Sequence, residues 1–228
     1  MASKGNSRHL KRLAASRYTK IKRKGFKYLK KPDPGRHTLE SSIALITVIT
    51  EKAGLANNAR EAKSIIKKGL IEVNGKVVKS PGYPIGLEDV LHIKSSDCYY
   101  RVSVGRGGTF LLAEIKKADA ALQTLKVLGK YTEKKGRIML RLHNGNVIEG
   151  KPEIRVNDSV IVEQNKIKGI IKFEKGALCR AIKGVNAPET GRITDIKPGT
   201  SRRRAMVEVE SAKGRFETSA DNIMVVGA

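Results

Sequence analysis

Asn57-Asn58-Ala59-Arg60-Glu61-Ala62-Lys63-Ser64-Ile65-Ile66-Lys67-Lys68-Gly69-Leu70-Ile71-Glu72-Val73-Asn74-Gly75-Lys76-Val77-Val78 reads as one short basic helix followed at once by a tight hairpin. Asn58 is a favoured N-cap residue, because its side-chain oxygen accepts a bond from an orphan backbone donor one turn on. Gly69 stands where a helix leaves through a left-handed residue, which glycine adopts without steric penalty. Between them Ala62, Ile65 and Ile66 share one face, and Arg60, Lys63 and Lys67, at i, i+3 and i+7, share another. Ile71 and Val73 then alternate with Glu72, and Asn74-Gly75 is a two-residue hairpin signal. Each piece alone is ordinary, an amphipathic helix with a solvated charged face and a common turn. In this order they present cations on a rigid surface, which suits a phosphate backbone better than it suits catalysis.

Helix and hairpin together resemble the S4-type RNA-binding module found in ribosomal proteins, pseudouridine synthases and some synthetases. Ser80-Pro81-Gly82-Tyr83-Pro84-Ile85-Gly86-Leu87-Glu88-Asp89-Val90-Leu91-His92-Ile93 agrees: a turn, a small residue, an acidic pair and a final strand, which close such modules. Upstream, Ser41 to Ala53 carries two readings. Its β-branched content argues for a strand, whereas its length and the spacing of Ile43, Ile46 and Ile49 allow a helix. The module resemblance makes it the first helix.

Composition sets the class. A chain of 228 residues has room for one to three small domains. It has no tryptophan, six tyrosines and four phenylalanines, with 39% hydrophobic residues, so each core must be small. The net charge of +24 repels itself in a folded protein and is tolerated when a polyanion neutralises it. A membrane is the competing polyanion, but the most apolar run, Ile43 to Ile49, is far too short to span one. Cys98 and Cys179 belong to no Cys-x-x-Cys pair and no Cys/His cluster. The expectation is two buried or half-buried thiols in a reducing compartment, with neither a disulfide framework nor a zinc site. The basic N-terminus lacks the apolar segment and cleavage site of a secretory signal.

Residues 1–39 hold thirteen Lys and Arg against one acid, Asp33, so this arm carries +12, half the net charge. Apolar residues here are too sparse to bury a core. Alone the arm is expected to be disordered, with Leu10, Leu13 and Ala14 forming one face of a short helix against RNA. Lys31-Pro32-Asp33-Pro34-Gly35-Arg36-His37 is a turn-rich joint. From about Asp97 to Lys168 short strands dominate. Tyr99 to Val104 and Phe110 to Leu112 flank Gly105-Arg106-Gly107-Gly108, a small helix is expected over Glu114 to Ala121, and Arg137 to Ile148 is a hairpin around Asn144-Gly145. From about Ile170, two strands flank a loop bearing Gly184 and Asn186, and Met206 to Val209 pairs with Arg215 to Thr218 across Lys213-Gly214. This is the outline of a small SH3-like barrel. Its loop resembles the KOW motif at Gly176, Gly184, Asn186 and Gly191, with Pro188 where that pattern expects a small residue.

The order as a whole resembles the ribosomal protein S4e family of the archaeal and eukaryotic small subunit. Arg8-His9-Leu10-Lys11-Arg12-Leu13-Ala14-Ala15, Pro32-Asp33-Pro34-Gly35, His37-Thr38-Leu39-Glu40-Ser41, the Leu140 to Val147 hairpin and Phe216-Glu217-Thr218 carry the likeness. Tyr18-Thr19-Lys20 stands where the family has a tryptophan-bearing stretch. The compact length without an added tail looks archaeal. The resemblance implies an α+β, small multi-domain chain: a basic N-terminal arm (1–40), an S4-type αα-β RNA-binding module (41–96), a central β-rich domain (97–169) and a C-terminal KOW-type SH3-like β-barrel (170–228). It implies a structural constituent of the small ribosomal subunit, cytoplasmic on the ribosome. Its partners would be small-subunit ribosomal RNA and neighbouring small-subunit ribosomal proteins, with no membrane, small-molecule substrate, cofactor or metal.

The expected RNA-binding residues are Arg8, His9, Lys11, Arg12, Arg17, Lys20, Lys22, Arg23, Lys24 and Arg36 of the arm and joint. Arg60, Lys63, Lys67, Lys68 and Lys76 follow in the module, then Lys183, Asn186, Arg192, Arg202, Arg203 and Arg204 in the barrel. Arg202-Arg203-Arg204 reads equally as a solvated loop, and Tyr18 and Phe26 as base-stacking or as packing residues. Asn74 and Gly75 shape their hairpin rather than touch bases.

Three other readings are weaker. An RNA-modifying enzyme with the same module needs a carboxylate in a catalytic loop, and none is recognisable. His9, His37, His92 and His143 are scattered, without a triad-like frame, and Gly105-Arg106-Gly107-Gly108 lacks the Gly-Lys-Ser/Thr of a P-loop. A transcription-associated KOW protein needs a polymerase-binding domain that the chain does not show. A DNA-coating protein needs no second folded RNA module. No catalytic residue is expected.

Overall fold

The computed structural model describes residues 7, 9–21, 24–164, 166–200 and 202–227. The chain divides into two units, Met1–Ser103 with Thr109–Ile115 and Val104–Gly108 with Lys116–Ala228.

In the first unit β1 (Leu10–Lys11) pairs antiparallel with β2 (Tyr28–Leu29). Arg12–Ala14 and Arg17–Thr19 are single 3-10 turns. Among the described residues these turns stand in place of the short helix expected here. Leu13 is 75% exposed, so it shares no packed face with Leu10. Backbone pairing holds the segment instead, together with Arg12, whose Nε donates to Phe26 O at 3.1 Å and whose Nη1 meets Glu51 at 3.4 Å.

The stretch read as one helix over Ser41 to Ala53 splits in the structure. Leu39–Ser41 is a 3-10 turn, and β3 (Ile43–Ala44) pairs with Pro84–Ile85. Helix α1 (Leu45–Thr47) begins only there and runs on as a π-turn through Val48–Lys52. Ile43 and Ala44 satisfy their backbone in a ladder while burying both side chains, which is where the β-branched signal came from.

Helix α2 (Ala59–Lys67) forms as expected. Asn58 Oδ1 accepts from Glu61 N at 2.9 Å, and Glu61 reaches back to Asn57 N at 3.0 Å, a variant of the reciprocal cap. Ala62 and Ile66 are fully buried. The helix exits through Gly69 at φ 74 into β4 (Ile71–Val73) and β5 (Lys76–Val77). Val73 faces Lys76 across Asn74 and Gly75, both at positive φ, which is the two-residue turn the sequence signals. After β6 (Pro84–Ile85), the strands β7 (Val90–Ile93), β8 (Cys98–Val104) and β9 (Phe110–Ile115) complete a sheet in the order β5-β4-β7-β8-β9. The strands flanking the Gly105 to Gly108 turn therefore share a sheet with the hairpin.

Asp89 is the anchor of this unit. Its carboxylate is buried and accepts from His37 Nε2 at 2.7 Å, Gly86 N at 2.9 Å and Asn74 Nδ2 at 2.7 Å. Asn74 Oδ1 in turn accepts from Val90 N at 2.9 Å. A Cβ at residue 86 would overlap the His37 ring, so only glycine admits this close approach. Burial alone would push the Asp89 carboxyl up, but the bonds from His37, Gly86 and Asn74 outweigh it and hold the group below the usual carboxylate value.

In the second unit α3 (Lys117–Ala120) is shorter than the expected Glu114 to Ala121, because β9 holds the chain extended through Ile115. The strands β10 (Leu122–Thr132), β11 (Ile138–Leu142), β12 (Val147–Glu149), β13 (Ser159–Glu163) and β14 (Lys166–Ile171) form an antiparallel sheet ordered β12-β11-β10-β13-β14. Its core is Leu125, Val127, Leu140, Leu142, Ile148, Ile154, Val160 and Val162. The β11–β12 hairpin closes over three residues, with Leu142 N donating to Asn146 O at 2.9 Å and Gly145 in the left-handed region. A second antiparallel sheet contains β15 (Leu178–Ala181), β16 (Thr190–Lys197), β17 (Met206–Ser211), β18 (Gly214–Ser219) and β19 (Ile223–Gly227), ordered β18-β17-β16-β15-β19. Its core includes Cys179, Ile193, Val207, Val209, Ile223 and Val225. Burial pushes the Cys179 thiol up to about 11, so it is a packing group at neutral pH.

Lys126 joins these two sheets. It lies between Leu125 and Val127 on β10, so strand alternation turns it away from their core. It is 1% exposed, and its Nζ donates to Ala220 O at 2.6 Å and Ile223 O at 2.7 Å. Burial lowers it to about 8, partly offset by Asp221.

Two outcomes follow from these buried ions. Because Asp89 is held below its unfolded value, the stability it contributes is complete above about pH 4 and is lost as pH falls through the folded value. Asp89→Ala should lower the unfolding free energy by about 3–5 kcal/mol at pH 7 and flatten the acid limb, measured by urea titration at several pH values. Lys126 has the opposite sense. Its folded value lies below the unfolded one, so the unfolded chain binds more protons and stability from this group rises between about pH 8 and pH 10. The stability of the native chain relative to Lys126→Met should therefore rise by up to about 3 kcal/mol across that window, and a pH-flat difference would count against a buried ammonium.

Candidate nucleic-acid interface

The interface is built on α2. Packing Ala62 and Ile66 inward leaves Arg60, Lys63 and Lys67 exposed on the opposite side. Lys68, at the C-cap, and Lys76, at the start of β5, are exposed as well. Among the described residues none of these five has a carboxylate within ion-pair distance. The capped helix and the turn fix where the cations emerge, so a polyanion meets charge that is already positioned.

Two further basic side chains of this module are engaged. Lys94 pairs with Glu72 at 2.9 Å, and His92 lies between Glu72 and Asp97 at 3.0 and 2.9 Å. Bonds from His92 and Lys94 hold the Glu72 carboxyl below its usual value.

In the arm, His9, Lys11, Lys20 and Lys24 are exposed. Arg12 is half-buried in its contacts with Phe26 and Glu51. Arg36 is half-buried, with its Nε enclosed and without a hydrogen-bond partner among the described residues. Arg8, Lys22 and Arg23 lie outside the described residues, as does the side chain of Arg17. Tyr18 stacks on Phe110 with ring centroids 5.7 Å apart, so it packs within the protein, whereas Phe26 is 84% exposed. Sequence reasoning passed over Lys52, which burial and the nearby Lys20 both push down.

In the second unit Lys183, Arg192, Arg202 and Arg203 are exposed and Asn186 is half-buried, while Arg204 pairs with Asp221 at 3.1 Å. The strands β16, β17 and β18 carry a ladder of opposed charges. Lys197 meets Glu208 at 2.6 Å and Glu217 at 3.2 Å, Arg215 meets Glu210 at 3.0 Å, and Lys175 meets Asp195 at 2.6 Å. The bond from Lys175 holds Asp195 below its usual value. Such a neutralised face attracts phosphate far less than α2 does.

Among the described residues no group of three or more His, Cys, Asp and Glu is disposed to hold a metal, and no helix is long and apolar enough to cross a membrane. An open trough of about 650 Å³ beside β12 and β14 is lined by Lys151, Lys166 and Lys168, with Glu149 its one acid. The network around Asp89 is the feature that sequence reasoning missed. The acidic pair Glu88-Asp89 was its visible trace, but nothing in the sequence spacing linked it to His37, 52 residues away.

Comparison with known proteins matches this geometry. The chain fits the Ribosomal family S4e over residues 96–168, the S4 domain over residues 45–91 and the RS4NT (NUC023) domain over residues 4–40. Small ribosomal subunit protein eS4 of Methanosphaera stadtmanae is 35% identical over 229 residues, covering 100% of this chain and 95% of that protein. Its counterpart in Aeropyrum pernix is 34% identical over 239 residues, covering 100% of this chain and 94% of that protein. The crystal structure of 30S ribosomal protein S4e from Thermoplasma acidophilum superposes with a TM-score of 0.70 at 30% identity, over 82% of this chain and 96% of that one. With identity of this order running from end to end, and with the helix–hairpin module in place, the chain belongs to the S4e family of small ribosomal subunit proteins.

Proposed function

We propose that this chain is a structural constituent of the small ribosomal subunit that binds ribosomal RNA by its backbone, next to neighbouring ribosomal proteins, on cytoplasmic ribosomes. The observation that carries this reading is the cationic face of α2, Arg60, Lys63 and Lys67, with Lys68 and Lys76 beside it, all exposed and without carboxylate partners among the described residues. Phosphates displaced onto such a face release counterions, which makes affinity steeply salt-dependent. Paired RNA hides its base edges in a deep, narrow groove, so backbone and shape dominate its recognition.

The functional parts in this reading are the arm over 1–40, the module over 41–96, the central β-rich part over 97–169 and a KOW-type SH3-like barrel over 170–228. The five-stranded order β18-β17-β16-β15-β19 supports the barrel, and the exposed Lys183, Arg192, Arg202 and Arg203 give it a phosphate-facing side. In the arm, the cations Lys11, Lys20 and Lys24, with His9, supply a second contact region. The paired charges around Lys197 and Arg215 on β16 to β18 leave that patch to a protein or solvent.

Replacing Arg60, Lys63 and Lys67 together with alanine should weaken binding to small-subunit ribosomal RNA and reduce the slope of log affinity against log salt by about 2–3, at roughly 0.7–0.9 per phosphate contact. An unchanged slope would remove this face from the interface. In cells, crosslinking of the tagged protein should concentrate reads at one locus of small-subunit ribosomal RNA, with the protein sedimenting in small subunits. Dispersed messenger or transfer RNA reads from protein off the subunit would overturn the ribosomal reading.

A further inference from the structure

The outward side of the β1–β2 ladder is built differently from the α2 face. Leu10 pairs with Leu29 and Lys11 with Tyr28. Alternation puts His9, Lys11 and Tyr28 on one side and the half-buried Leu10 and Leu29 on the other. The His9 and Tyr28 rings lie 5.6 Å apart, tilted by 50°. The Lys27 ammonium sits 5.6 Å from the centre of the Tyr28 ring. Two residues before Tyr28, Phe26 is 84% exposed, its carbonyl pinned by Arg12, and Tyr28 itself is 52% exposed. A chain with four phenylalanines and six tyrosines exposes two of them, two residues apart, in its most cationic segment.

Water is a poor neighbour for a bare phenyl ring, and phosphate has no use for one. The face of a base does: stacking on aromatic side chains, with cations along the backbone, is how proteins hold unpaired nucleotides. The His9 and Tyr28 rings, with the exposed Phe26 two residues before Tyr28, offer such a surface, and the arm's charge, +12 over residues 1–39, supplies the complement to the sugar–phosphate strand. We propose that His9, Tyr28 and Phe26, with Lys11 and Lys27, form a stacking platform for unpaired bases of a bulge or loop in structured RNA. This rests on the RNA-binding reading above and divides its labour: α2 holds backbone, and the ladder holds extruded bases.

The native chain has no tryptophan, so Phe26→Trp introduces a single fluorescent reporter at the platform. With the full-length protein, its emission should be quenched by an RNA duplex carrying an unpaired adenosine bulge and not by the same duplex without the bulge, both at saturation. In parallel, Phe26→Ala/Tyr28→Ala should weaken binding of the bulged RNA by about ten-fold, the worth of one stacked base, and leave duplex affinity unchanged. Equal quenching by both RNAs, no quenching by either, or an equal loss of affinity for both would overturn the platform while leaving the RNA-binding reading intact. Failure of the native protein to bind either RNA would overturn both.

Discussion

A carboxylate removed from water needs its lone pairs satisfied, and Asp89 finds its donors in three separate parts of the chain. His37 comes from the joint after the arm, Asn74 from the hairpin turn and Gly86 N from the segment that leads into β7. Because a carboxylate only accepts, His37 must carry its proton on Nε2, and Asn74 must turn its amide nitrogen inward, which frees its oxygen for Val90 N. One buried charge thus fixes a side chain in the joint, the orientation of the turn and the start of the next strand. The hairpin whose turn it holds follows α2 directly through Gly69, so the strand end of the cationic segment is fixed as well. The exposed face is as well defined as the buried network that supports it.

The second unit solves a related problem with the opposite sign. Lys126 sits in a strand that is otherwise apolar or neutral around it, and the carbonyls of Ala220, in the turn before β19, and of Ile223, at its start, accept from its ammonium. A helix-end or turn carbonyl left unbonded inside a protein is costly, and so is an unpaired ammonium. Bringing the ammonium to these carbonyls satisfies it inside the protein and makes an orientation-specific junction between sheets. At the surface the logic is different again. Lys197 and Arg215 on β16 and β18 are matched with carboxylates, whereas Arg60, Lys63 and Lys67 on α2 are not, among the described residues. In a protein with a large positive excess, the informative question is which cations lack partners.

The features readable from the sequence were those in which a local rule is also the tertiary answer. Asn58, Gly69 and Asn74-Gly75 each satisfy backbone geometry within a few residues, so cap, exit and turn appeared where expected. The β11–β12 hairpin was legible too, though its turn holds three residues because Asn144 folds its own side chain back to Asn146 N. What could not be read was decided at long range. Ile43 and Ala44 become a strand only because Pro84 and Ile85 arrive beside them. In the arm, Leu10–Lys11 pairs with Tyr28–Leu29 and Arg12 meets Glu51, partners that its own apolar content does not point to. In the interface, charge type and spacing revealed α2. They did not reveal that Arg204 is paired or that Arg36 is half-enclosed, since those facts depend on neighbours distant in sequence.

Lys126 has a consequence for covalent chemistry. Acylating reagents and acetyl-transferring enzymes read surface amines, and a lysine that is 1% exposed with its Nζ bonded to two carbonyls is shielded from both. The exposed lysines of α2 and the arm enjoy no such protection. Neutralising amines on this chain therefore erodes its outer positive potential first and leaves the inter-sheet junction standing, so its affinity for a polyanion and its folded state can be tuned separately.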